Sequence, residues 1–223
     1  MLSNKFKINY SIGSVANGVK TDTFTFFLLF FYSNIIGLNP GLAGSAIFIA
    51  LCIDAITDPL MGTISDRTNS SIGRRHPYMF ISFIPMSLGY ILLFAPRQGW
   101  DMSQTDLFLW MTVFTVLTRL GMTLFDIPHR AFGGEVTKDY QERTILMSWR
   151  EAFGWIAGLS NAFLGYGIFF ASTPEYPQGQ LNPDVWFPFA LTGAIVMIIS
   201  VLYSSYSTKD EIKSLSKWTG NIT

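Results

Sequence analysis

Six apolar stretches of roughly 20 residues, each closed off by polar or Pro/Gly punctuation, dictate what this 223-residue chain can fold into. A hydrocarbon core about 30 Å thick needs helices of that length, and the windows fall near 15–36, 42–64, 77–96, 106–129, 148–171 and 185–206. Asn39-Pro40-Gly41 separates the first pair, and Ser65 to His76 the second from the third. Arg97 to Gln104, Gly133 to Thr144 and the Pro- and Gly-rich Ser172 to Asp184 close the rest. Charge is correspondingly sparse, at 13% against about 25% in a soluble domain. The expected fold is an all-α membrane protein: a bundle of six transmembrane helices over 1–206, then a polar cytoplasmic connector or tail over 207–223. No strand alternation or soluble domain interrupts this pattern.

Basic residues orient the spans. Lys5 and Lys7 precede the first; Arg67, Arg74 and Arg75 lie between the second and third; Lys138 and Arg143 lie between the fourth and fifth; Lys209, Lys213 and Lys217 follow the last. The alternate loops contain only Arg97, so both termini are expected in the cytoplasm and the protein in the cell (inner) membrane, its outer side marked by Trp100, Trp110 and Trp186. Lys20 and Asp22 interrupt the first apolar run and no small-residue cleavage site follows, so no cleavable signal peptide is expected. Lys plus Arg equals Asp plus Glu at 15, which implies no nucleic-acid field, and the lone Cys52 excludes a disulfide scaffold. No phosphate-cradling Gly loop, metal-spaced His/Cys cluster or nucleophile triad is present, so neither a cofactor nor an enzyme is expected. His76 reads as a solvated loop residue, and His129 as either an interior polar residue or a member of a proton relay.

An ionisable residue inside a span costs about 2.5–3.5 kcal/mol on insertion scales and is by default a functional-site hypothesis. Asp54 and Asp58 in the second span are four residues apart, which stacks both carboxylates on one helix face. At about 6 Å and an effective dielectric near 20 they repel by roughly 3 kcal/mol, so a proton, a bound cation or a basic neighbour must offset them. With Thr57 and Thr123 they offer the hard oxygens that suit Na⁺ or H⁺, and no basic residue stands in the same span. Asp126 and Arg119 lie in the fourth span, Lys20 and Asp22 in the first, and Arg150 with Glu151 open the fifth. Asp126 with Arg150 also admits a purely structural reading, as an intramembrane ion pair holding helices together. Pro59 and Pro128, beside these charges, either break their helices to expose backbone groups or simply kink them.

Asp54-Ala55-Ile56-Thr57-Asp58-Pro59-Leu60-Met61-Gly62, then Ser65-Asp66-Arg67-Thr68 and Gly73-Arg74-Arg75-His76-Pro77, resembles the glycoside–pentoside–hexuronide:cation symporters of the major facilitator superfamily, the melibiose permease-like family. Asp126-Ile127-Pro128-His129, Gly134-Glu135, Asp139-Tyr140, Glu142-Arg143-Thr144 and Trp149-Arg150 extend the likeness, which covers nearly the whole chain but only the amino-terminal half of a family member. The resemblance implies a half of the major facilitator fold and cation-coupled secondary symport of a sugar or sugar-derived solute. It implies that Asp54 and Asp58, helped by Thr57 and Thr123, bind the coupling cation, Na⁺ or H⁺. Asp126 and Arg150 fall at sugar-linked positions. Gly62, Asp66, Arg67, Arg74 and Arg75 match the cytoplasmic loop that latches the closed state through charge pairs, although the arginines alone also read as topology signals.

The first helix departs from the family pattern. Asn17-Gly18 stand where the familiar sugar permease has a Lys-Asp pair engaging sugar, with Lys20 and Asp22 about one turn later. Arg130 stands where that permease has a tryptophan. Arg130, Arg150 and Lys20 would complement an anionic solute such as a uronate. The expected partners are that solute, the lipid bilayer, and a carboxy-terminal half or second chain, because superfamily carriers place substrate between two six-helix halves. The expected whole is a 12-helix carrier. Its alternatives are a half that pairs with another polypeptide, a homodimer, a truncated module without transport, and a sodium-coupled lysolipid carrier of the same superfamily.

Overall fold

The structure, a computed structural model, describes residues 2–209. Residues 210–223, most of the expected connector, lie outside the described part. The elements in order are α1 (Asn4–Ser11), α2 (Ser14–Asp22), a π-helical segment (Thr23–Phe27), α3 (Leu28–Phe30), a second π segment (Phe31–Ile36), α4 (Pro40–Arg67), α5 (His76–Ile81), α6 (Phe83–Leu93), α7 (Gln104–Glu135), α8 (Tyr140–Leu164), a third π segment (Gly165–Phe169) and α9 (Trp186–Ser207). No strand occurs among the described residues.

Local chemistry sets the boundaries. Asn39 accepts from the Gly41 amide with Pro40 at the first turn of α4, Ser103 and Asp106 cap α7 reciprocally, and Asp139 accepts from the Glu142 amide to start α8. The first helical run ends at Gly37, whose φ of 86° is a left-handed cap that glycine adopts without cost from a Cβ. The Asp139 cap starts the fifth span's helix at Tyr140, eight residues before its expected apolar start at 148, so Glu142 and Arg143 are helical. Neither proline breaks its helix: α4 runs through Pro59 to Arg67, and α7 runs through Pro128 to Glu135. One missing amide costs a long, packed helix a single hydrogen bond, and the rest of the ladder holds. Irregular backbone falls instead at the Ile12–Gly13 junction and the two π segments of the first span, at Ser82 between α5 and α6, and at the π segment that ends the fifth span.

Pro40–Arg67, His76–Leu93, Gln104–Glu135, Tyr140–Phe169 and Pro183–Thr208 are long and apolar enough to cross a membrane. The expected first span, 15–36, is helical but is not among these five, because Lys20, Asp22, Ser33, Asn34 and several threonines dilute its hydropathy.

Where helices touch closely, glycine permits it. A Cβ on Gly18 would sit 2.1 Å from the Gly154 carbonyl oxygen, so α2 and α8 meet backbone to backbone. Gly121 likewise seats α7 against Met86 of α6. The main core joins the first span to α6, α7 and α9 through Phe27, Phe31, Tyr90, Phe125, Trp186 and Phe189. Trp186 is fully buried there, stacked parallel to Phe94 at 6.3 Å with its indole donating to the Gln180 carbonyl. It fills the core rather than standing in an interfacial belt, because a large ring among Phe27, Phe30, Phe31, Phe94 and Phe170 buries more area than it could at the rim. Only 17% of the apolar window is buried in each of Pro40–Arg67 and Tyr140–Phe169, against 39–44% in the other three. One side of the bundle thus presents Phe48, Ile56 and Leu60 of α4, and the α8 flank presents Trp155, Leu159 and Phe163.

Candidate functional site

Two helices carry the central charges. Asp54 and Asp58 occupy successive turns of α4, and Arg119, Thr123 and Asp126 occupy successive turns of α7. The second and fourth spans run in the same direction, so packing side by side holds a constant register: residues 54 and 119, like 58 and 123, are 65 apart. The Arg119 Nε donates to Asp54 Oδ2 at 2.5 Å, and Nη2 approaches the same oxygen at 2.5 Å. Thr123 Oγ1 donates to Asp58 Oδ1 at 2.7 Å. Asp54 Oδ1 and Thr57 Oγ1 are buried with no hydrogen-bond partner among the described residues. The two carboxylates therefore share a face but not an environment: one faces a guanidinium, the other a hydroxyl.

Asp126 is held from two sides. Arg130, one turn on, donates Nε to Oδ2 at 2.7 Å, while Arg150 of α8 reaches Oδ1 through Nη2. The Arg150 side chain is 1% exposed and its Nη1 engages Glu151, whereas the Arg130 side chain is half exposed. Asp126 and Arg150 thus form the ion pair that a structural reading of the sequence anticipates. Lys20 sits 6.0 Å from the Phe24 ring centroid, within electrostatic reach of Arg119, Asp126, Asp54 and Asp58. Asp22 does not join that group. It is buried, accepts from Asn161 of α8 at 2.7 Å, and begins a chain through Thr23 to Tyr90 of α6.

At one end of the bundle Arg74 and Arg75 both engage Glu135 at the end of α7, and Arg75 also donates to Asp66 at 2.9 Å. Arg67 ends α4 exposed, and Gly62 lies against Ile127, 3.8 Å from where its Cβ would stand. Lys7 pairs with Glu142 at 3.5 Å at the same end. His76, read from sequence as solvated, is 1% exposed: its Nε2 lies 3.2 Å from Thr208 Oγ1, and its ring stands perpendicular to that of Phe132 at 5.0 Å. His129 is fully buried, sandwiched between the rings of Tyr10 at 4.1 Å and Phe125 at 4.8 Å. Its Nε2 faces the Tyr10 carbonyl at 3.0 Å, an acceptor that the Gly13 amide and the Ser204 hydroxyl also reach.

Sequence reasoning missed Arg119 as the partner of Asp54 and Glu135 as the hub of the loop arginines. The missed signal was a register: an arginine and a threonine four apart in span four, matching two aspartates four apart in a parallel span.

These features define a multi-pass helical membrane protein whose polar groups converge inside the bundle from several spans. The chain belongs to the MFS/sugar transport protein family, whose model matches residues 9–220. It is 33% identical over 198 residues to an uncharacterized symporter of Synechocystis, covering 87% of this chain and 35% of that protein. It is 34% identical over 149 residues to a putative glycoside/cation symporter of Escherichia coli, covering 67% and 32%. A sodium-dependent lysophosphatidylcholine symporter of Danio rerio is 29% identical over 174 residues, covering 75% and 31%. The chain spans about a third of the length of these relatives. The family and these relatives are transporters.

Proposed function

We propose that this chain supplies the cation-binding face and part of the solute pocket of a cation-coupled symporter for a sugar-type solute. The observation that carries the reading is the hydrogen bond from Thr123 to Asp58 beside Asp54, a set of hard oxygens on two parallel spans within an apolar bundle. A cation, Na⁺ or H⁺, entering at Asp58 neutralises a half-buried negative charge. It thereby shifts the equilibrium between carrier states, and linkage requires solute to raise cation affinity by the same factor. Asp126 with Arg150 and Arg130 forms the solute side: carboxylate and guanidinium groups hydrogen-bond sugar hydroxyls, and the half-exposed Arg130 offers charge to a uronate. The apolar faces of α4 and α8 are the surfaces on which a carboxy-terminal half would close the pocket. The likeness to a putative glycoside/cation symporter supports a glycoside-type solute. A lysolipid reading draws on the Danio rerio relative, but the charged cluster around Asp126 favours a polar solute. The membrane is the cell membrane, with both termini and the Arg74–Arg75 loop on the cytoplasmic side.

Uptake of sugars and uronates, with and without Na⁺ and proton gradients, tests the reading through Asp58→Asn. Uptake that loses its cation dependence supports it; unchanged cation dependence in the variant discards it.

A further inference from the structure

We infer that Arg119 is a built-in competitor of the coupling cation: its guanidinium occupies Asp54, and a cation that uses both α4 carboxylates has to displace it. The inference rests on the reading that the α4 carboxylates face that cation, and it adds what sets the affinity there.

The geometry is specific to this pair. Two nitrogens of Arg119 converge on the single oxygen Asp54 Oδ2, each at 2.5 Å, and both side chains are more than four-fifths buried. A guanidinium stays charged under all ordinary conditions, so the contact is a permanent ion pair whose strength is little screened by solvent. Asp58, one turn along, has no such partner; it accepts from Thr123. Asp54 Oδ1 and Thr57 Oγ1 have no partner among the described residues, so hard oxygens remain next to the guanidinium rather than being consumed by it. Lys20 of α2 lies within electrostatic reach of the same group, adding positive charge that further disfavours a mobile cation.

A tethered cation competes intramolecularly, so its effective concentration is fixed by the fold and does not vary with the medium. A mobile ion gains Asp54 only when Arg119 lets go, and the apparent affinity falls by the fraction of time it does so. Arg119 thereby couples occupation of the cation site to the α4–α7 contact.

The test is equilibrium binding of ²²Na⁺ to the purified full chain. Arg119→Gln is expected to bind Na⁺ about tenfold or more tightly than the wild type, a gain that loss of a purely structural residue does not produce. Arg119→Lys keeps the charge but not the two-nitrogen grip and is expected to show a smaller gain. It also serves as the measurement if Arg119→Gln does not purify as a monodisperse species. Asp58→Asn added to either variant is expected to abolish the gain. Equal or weaker Na⁺ binding in both arginine variants, including no saturable binding at all, overturns the inference. The symport reading has its own outcome: cation-dependent uptake lost in Asp58→Asn leaves it standing even where Arg119 proves indifferent.

Discussion

Thr123 donates its hydroxyl to Asp58 at 2.7 Å, 65 residues upstream, the same offset that joins Arg119 to Asp54. One register between two parallel helices therefore assigns a neutral donor to one carboxylate and a cation to its neighbour.

Thr123→Val removes that donor while keeping the side-chain shape. The bound cation loses a hydroxyl oxygen of its proposed site, an interaction of about 1–3 kcal/mol, so the cation concentration giving half-maximal solute uptake is expected to rise about tenfold. The fold is expected to persist, because the valine fills the same volume. A cation titration of uptake checks this; an unshifted midpoint removes Thr123 from the site.

Arg150 and Arg130 grip the same carboxylate, Asp126, but from opposite extremes of burial. Arg150→Met leaves Asp126 short of its buried partner and is expected to cost about 3–5 kcal/mol of stability. Arg130→Ala removes a half-exposed contact and is expected to cost less than about 1 kcal/mol. Thermal unfolding followed by intrinsic tryptophan fluorescence separates them: a drop of many degrees for the first, almost none for the second.

Gly18 meets the Gly154 carbonyl where any Cβ would overlap it, whereas Gly44 of α4 has nothing within 4 Å of its Cβ position. Gly18→Ala is expected to force α2 and α8 apart and destabilise by about 1–3 kcal/mol. Gly44→Ala is expected to be neutral or stabilising by up to about 1 kcal/mol, since alanine favours a helix. Yield of monodisperse protein and melting temperature read the contrast.

Glu135 binds both loop arginines, while Asp66 meets Arg75 from a side chain that is 56% exposed. Double-mutant cycles in unfolding free energy are expected to give Arg75–Glu135 a coupling of roughly 1–3 kcal/mol. Arg75–Asp66 is expected to give less than about 1 kcal/mol, as solvent screens that pair. Equal couplings would remove Glu135 as the hub of the loop.

Much of the architecture was legible because it follows from local composition. Apolar length placed the second through sixth helices, whereas the caps at Asn39, Ser103 and Asp139 start three of them ahead of the apolar windows, at Pro40, Gln104 and Tyr140. The pairing of Asp126 with Arg150 was also within reach, since two opposite charges in neighbouring spans have few other partners. Other features were hidden. Pro59 and Pro128 read as either breaks or kinks, and packing kept both helices continuous, while irregular backbone formed in the first span, at Ser82 and at the end of the fifth span. His76 looked solvated because its neighbours are basic, but it turns under Phe132 toward Thr208, a contact across 132 residues that no local signal records.

The amino-acid order by itself determined that this chain crosses a membrane, which residues carry charge into it, and the family to which it belongs. Hydrophobic length and residue identity are properties of each segment alone. Only the tertiary structure decided which charge meets which. Whether Asp54 faces a mobile ion, a hydroxyl or a guanidinium depends on the register of α4 against α7, and that register is set by side chains interlocking along the whole contact.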